Sequence, residues 1–171
     1  MSDVDEYLGD FESRGFLAAD AERFVATWER LETTLLERLA RATGSADEWR
    51  DGFRAGATEV VDLVEANPRE AYFLVVGALT AGELGRQRQR ALGAKLATML
   101  DAVRADLDDP EVVPPATARW IVGIFFDRIY RYCATGAASG ELRSQLPELR
   151  FLAISAYLGT EAGLLELLPS E

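Results

Sequence analysis

The chain contains no histidine and a single cysteine, Cys133. Without histidine there is no Ser-His-Asp or Cys-His nucleophile pair, no H-E-x-x-H zinc site and no Glu-x-x-His ligand set for a di-iron bundle. A lone cysteine makes no internal disulfide, as expected of a cytoplasmic protein. Long apolar runs are missing too. The longest uncharged stretch, Ala71 to Gly82, falls far short of the ~20 residues that span a bilayer. The opening SDVDEYLGD is acidic where a signal peptide is basic and then apolar. These absences predict a cytoplasmic chain with no membrane contact.

Positive charge is scarce: 18 basic residues face 29 acidic ones, for a net charge of −11. Phosphate backbones are held by clustered Lys and Arg, so this balance argues against direct nucleic-acid binding by the chain. The one dense basic run, Arg86-Gln87-Arg88-Gln89-Arg90, has no interleaved aromatics and reads as the solvated face of a helix. No phosphate-cradling glycine motif is present; Gly82, Gly85 and Gly93 have neither the spacing nor a preceding strand. The carboxylate pairs Glu29/Glu32 and Glu59/Asp62 stand at i, i+3 and read as solvated helix faces. Cys133 lies in an apolar stripe and reads as a small core residue. No enzyme, metal site or cofactor is expected.

What remains is a globular composition, 49% apolar and 27% charged, over 171 residues, enough for one domain with its own core. The 3.6-residue period predicts six helices and an all-α fold. The first covers about Leu17 to Ala42, with Phe24, Trp28, Leu31, Leu35 and Leu39 on one side. Ser45-Ala46-Asp47-Glu48 reads as a capping box opening the second, whose inner face is Trp49, Phe53, Ala57, Val60 and Val64. Asn67-Pro68 ends it and starts a third, AYFLVVGALTA, apolar all round and therefore a central rod. The fourth covers about Leu84 to Ala105 and carries Leu92, Leu96, Met99 and Val103. The fifth follows Pro114-Pro115 and runs to about Thr135. A Gly, Ala and Ser loop from Gly136 to Ser144 leads to the sixth, from Pro147 to about Leu168.

The last two helices carry more apolar surface than one core uses. On the fifth, Ile121, Val122, Phe125, Phe126, Ile129, Tyr130, Tyr132 and Cys133 cover more than half the circumference. On the sixth, Phe151, Ile154, Leu158, Ala162 and Leu165 form one stripe, with Leu149, Leu152, Ala156 and Gly163 beside it. A second stripe needs a second surface, and a copy of the chain supplies it through a two-fold interface. The expected dimer contacts are Ile129, Tyr132, Cys133, Phe151, Ile154, Leu158 and Ala162. The alternative is a larger monomeric core, for which four preceding helices are few.

Leu146-Pro147-Glu148-Leu149, continuing to Tyr157-Leu158-Gly159, resembles the last helix of the tetracycline-repressor (TetR) family of bacterial transcription regulators. Trp49 to Ala66, Asn67-Pro68 and the apolar run after them resemble the centre of that family's ligand domain. Phe11-Glu12-Ser13-Arg14, with Leu17-Ala18-Ala19 following, resembles the F-x-S-[KR]-E junction between DNA-binding head and body, Gly15 standing in place of Glu. Residues 1–15 are then a hinge-like segment and residues 16–171 an effector-binding and dimerisation domain. Fifteen residues are too few for a three-helix head.

The resemblance implies a transcription regulator's body that dimerises and binds a small apolar or amphipathic effector, without its own DNA reader. It places the pocket among the second to fifth helices, with Phe53, Val60, Phe73, Val76, Leu96, Met99, Trp120 and Ile124 as walls and Thr80 and Tyr130 as hydrogen-bonding groups. Asp127 would suit a cationic ligand, but an exposed i, i+4 pair with Arg131 accounts for it more simply. The alternative reading is a ligand-independent module that pairs with a full-length regulator.

Overall fold

A computed structural model describes residues 3–136, 138 and 140–168, and all regular structure among them is helical. Helix α1 (Asp3–Arg14) precedes a short 3-10 turn and α2 (Ala21–Thr43). Then come α3 (Trp49–Ala66), α4 (Pro68–Tyr72), a π-helical stretch (Phe73–Gly77) and α5 (Ala78–Thr80). Helix α6 (Gly82–Asp101) runs into a 3-10 segment and an irregular loop before α7 (Thr117–Thr135). The chain closes with α8 (Glu141–Ser144), α9 (Leu146–Leu158) and α10 (Thr160–Leu164).

The segment expected to be hinge-like is, from Asp3 to Arg14, a helix docked on the core; residues 1 and 2 lie outside the described residues. Val4, Tyr7, Leu8 and Phe11 recur at i, i+3, i+4 and i+7, and the last three are buried. The helix stops at Gly15, whose φ of 73° a side chain would disfavour. Phe11 meets Phe73 at 5.0 Å and Phe24 at 6.2 Å between ring centroids, and Phe24 meets Phe73 at 5.0 Å. Trp28 completes this aromatic cluster and donates its indole N–H to the buried Glu32 carboxylate at 2.8 Å. Lys95 reaches the same carboxylate at 2.5 Å, tying α6 to α2.

The capping box does not form. Helix α3 begins at Trp49, and Ser45 Oγ instead donates back to the Ala42 carbonyl at 3.2 Å, closing the end of α2. Asn67 likewise turns backward, its amide donating to the Leu63 carbonyl, while Pro68 takes the first turn of α4. The apolar run after it is not one α-helix. With no polar face to fix its phase it widens into the π-turn at Phe73–Gly77, and Gln89 satisfies the Val75 carbonyl at 3.2 Å. The sixth expected helix is broken at Gly159 (φ 87°, ψ 162°) into α9 and α10. In the Gly, Ala and Ser loop, α8 forms; residues 137 and 139 of that loop, and 169–171 at the C-terminal end of the expected domain, lie outside the described residues.

The basic run is balanced by acids, as its reading as a solvated helix face expects. Arg86 and Arg90 pair with Glu83, and Arg88 with Glu29 on α2. Asp127 and Arg131 form the expected exposed pair at 2.8 Å. No helix of the described residues is long and apolar enough to cross a membrane.

Candidate functional site

Small residues on α3 leave space between helices. Gly52 and Gly56 face α2, and a Cβ on Gly56 would stand 3.1 Å from the Thr43 methyl; Ala57 lies on the next face, in the cluster with Val61 and Ile129. Beside this close approach lies an apolar cavity of about 570 Å³. Helix α2 contributes Leu31, Leu35 and Leu39, α3 contributes Phe53 and Val60, the π-helical stretch Leu74 and Val75. Helix α6 supplies Leu92, Leu96, Met99 and Leu100, and α7 supplies Ile121, Val122, Phe125, Phe126 and Ile129. Ala40, Glu48, Met99 and Ala102 are exposed lining residues and form a mouth where α2 and α6 end and α3 begins; Thr34, in the middle of α2, is exposed as well.

Of the expected pocket residues, Phe53, Val60, Leu96 and Met99 line this cavity. The other six do not. Phe73 is fully buried on the far side of the π-helical stretch, among Phe11, Phe24 and Trp28. Val76 and Thr80 also fall outside the lining; the Thr80 hydroxyl donates to the Gly77 carbonyl at 2.7 Å. Trp120, Ile124 and Tyr130 sit on the opposite face of α7, where Trp120 is 63% and Tyr130 40% exposed. The phase of α7 is the error: residues one position on, Ile121 and Phe125, point inward.

The expected dimer set is divided in the same way. Ile129 lines the cavity, and Tyr132 and Cys133 pack against the cluster of Val61, Val64, Val75 and Leu142. Ile154 is completely buried and so is unavailable to a partner copy. Phe151 and Ala162 are half-buried and Leu158 is exposed. Core-facing positions on α9 are Leu149, Ala153, Ile154 and Tyr157, because these four follow one side of the helix; Leu152, 45% exposed, is on the other.

Near its mouth the cavity is framed by aromatic and charged groups. Trp49 stacks on Phe53, centroids 5.4 Å apart and planes 15° from parallel, and meets Tyr157 at 5.3 Å. Burial raises the Tyr157 hydroxyl pKa, and its donation to Asp101 at 2.7 Å adds to the effect. Asp101 is pulled the other way, below the ordinary carboxylate range, chiefly by its hydrogen bonds from Arg104. Arg104 also donates to the Pro110 and Val113 carbonyls, at 2.8 and 2.6 Å, and so holds the loop before α7. On the outer side of α3, Arg50 and Arg54 converge on the buried Glu166 carboxylate, each at 2.7 Å. Burial would raise the Glu166 pKa, but the hydrogen bonds from Arg54 and Arg50 outweigh it and lower it.

No group of three His, Cys, Asp or Glu among the described residues is arranged to hold a metal ion. Sequence reasoning missed the α2 wall, Leu31, Leu35 and Leu39, and the small pair Gly52 and Gly56. The signal for the pair was available, since glycines at i, i+4 on a helix mark a close approach. Comparison of the chain with protein-family models, with curated proteins and with solved structures finds no match.

Proposed function

We propose that the chain is the effector-binding and dimerisation body of a TetR-like transcriptional regulator, and that its effector occupies the cavity between α2, α3, α6 and α7. One observation carries the reading: an all-α chain keeps an apolar space of about 570 Å³, within the size range of small-molecule sites, walled by helices that overlap those the resemblance expects. A closely packed domain of this length has no use for such a space, since interiors pack to crystal density. Dimerisation is proposed through the outward faces of α7 and α9, where Trp120, Tyr130 and Leu152 are left to solvent. The excess of acidic residues and the pairing of the basic run support the absence of direct DNA contact by these residues.

Native mass spectrometry of the purified protein tests both parts. The expected result is a dimer carrying reproducible extra mass, or one that takes up added apolar compounds. A monomer that binds none of them overturns the proposal. Trp120→Glu together with Leu152→Glu is expected to give a folded monomer; a dimer that survives both moves the interface elsewhere.

A further inference from the structure

We propose that the cavity takes a single-chain amphiphile with a cationic head, the chain lying along α3 and the head held at the mouth by Glu48 and Trp49. This rests on the cavity being a ligand site. Its shape argues for the chain. Lining residues follow α3 from Trp49 to Val64 and α2 from Leu31 to Thr43, so the space is drawn out over roughly 20 Å at 1.5 Å per residue. A volume of about 570 Å³ spread over that length is a slot.

Charge argues for the head. The lining contains no lysine, arginine or cysteine, and its only ionisable residues are Glu48 and Glu70. Glu70 accepts a hydrogen bond from Arg30 at 3.5 Å. Glu48 is exposed at the mouth; its backbone carbonyl accepts from the Gly52 N–H at 3.0 Å, while its carboxylate has no hydrogen bond or ion pair among the described residues. An anionic head at the mouth would find no counter-charge in the lining and would meet the like charge of Glu48. The polar lining groups offer it little: Thr34, Thr43 and Asn67 already donate to the carbonyls of Arg30, Leu39 and Leu63. Three of the four nearby arginines are committed, and Arg41 is exposed outside the lining. Arg50 and Arg54 hold Glu166, and Arg38 and Arg41 lie outside the lining, where Glu59 pairs with Arg38.

Beside Glu48, the stacked Trp49–Phe53 pair presents aromatic surface at the same mouth, with the buried Tyr157 packed against Trp49 outside the lining. Aromatic faces attract quaternary ammonium groups through the ring quadrupole, and a carboxylate alongside adds to the attraction. The combination selects a cation over a neutral head and a neutral head over an anion.

Three probes with one tail separate the possibilities: decyltrimethylammonium, decanol and decanoate, each titrated calorimetrically into the intact chain below its micelle concentration. The cation is expected to bind about tenfold tighter than decanoate, with decanol between them. Glu48→Gln, at an exposed position, is expected to weaken the cation about threefold to tenfold and leave decanol unchanged. Decanoate binding as well as the cation, or a Glu48→Gln variant that binds the cation undiminished, overturns the cationic head while the site stands. If none of the three binds, decanol included, the cavity is not a ligand site and both readings fall.

Discussion

The π-helical stretch Phe73–Gly77 divides two regions of similar apolar character and opposite packing. On one side Tyr7, Phe11, Phe24, Trp28 and Phe73 interlock with all five rings buried. On the other, Leu74 and Val75 look into about 570 Å³ of space. Hydrophobicity does not distinguish them. Residue size and helix spacing do: rings fill the first region, while in the second α2 and α3 meet closely at Gly52 and Gly56 and the space lies beside that contact, between leucine and phenylalanine walls. A core can therefore be apolar throughout and still reserve room, provided small residues set the helix separation at one edge.

Truncation in the filled region tests the contrast most severely. Phe73→Ala is expected to cost about 3–5 kcal/mol in denaturant unfolding, the range for large aromatic truncations. A cost below ~1 kcal/mol would mean that the aromatic side is no better packed than the cavity.

Next in size is Gly85→Ala, which would place a methyl 1.9 Å from the Ala78 backbone oxygen and force α5 and α6 apart. A loss of about 1–3 kcal/mol is expected from such overpacking. An unchanged melting temperature would show that this junction yields.

Cys133 packs against the cluster on the cavity side and reports its burial. Burial pushes its thiol up to about 11 from 9.0. A raised pKa in the folded state means a contribution that is fully present below pH ~9 and lost as pH climbs through ~11. The stability of the parent chain should thus fall relative to Cys133→Ala across that window. Parallel curves for the two proteins would place the thiol in a wet environment.

The smallest effect has the opposite sign. A Cβ on Gly93 of α6 meets only the Phe126 ring edge at 3.9 Å, an ordinary contact beside the cavity. Gly93→Ala should stabilise by about 0.5–1 kcal/mol through helix propensity alone. Destabilisation would mean that the space near Phe126 is less free than its neighbours imply.

How far the sequence could be read follows from where polar residues punctuate it. Helices α3 and α7 end near their expected places because Asn67-Pro68 and Gly136 stop them. Rotational phase was another matter. Helix α7 has few charges and apolar residues on nearly every side, so nothing local separates Trp120, Ile124 and Tyr130 from Ile121, Phe125 and Ile129; tertiary packing decides it. The same ambiguity split the α9 stripes and hid Ile154. Helix α1 escaped notice because its acidic residues and the glycine after Arg14 read as a linker, although Tyr7, Leu8 and Phe11 already carried the period. Cavity walls were legible on α3 and α6, where charged neighbours fix the inward face, and least legible on α2 and α7.

A π-turn also has a consequence for chain length. Its wider loop holds one residue more than an α-helical turn, so everything after Gly77 is rotated by about 100° from where an uninterrupted helix would leave it. The fit of Ala78 against Gly85 depends on that offset. A change in residue count here therefore acts on everything downstream, whereas a substitution acts only where the side chain packs. Removing one residue between Phe73 and Gly77 would let the helix close up, turn Ala78 away from Gly85, and exchange the side chains that face the aromatic cluster for those that face the cavity.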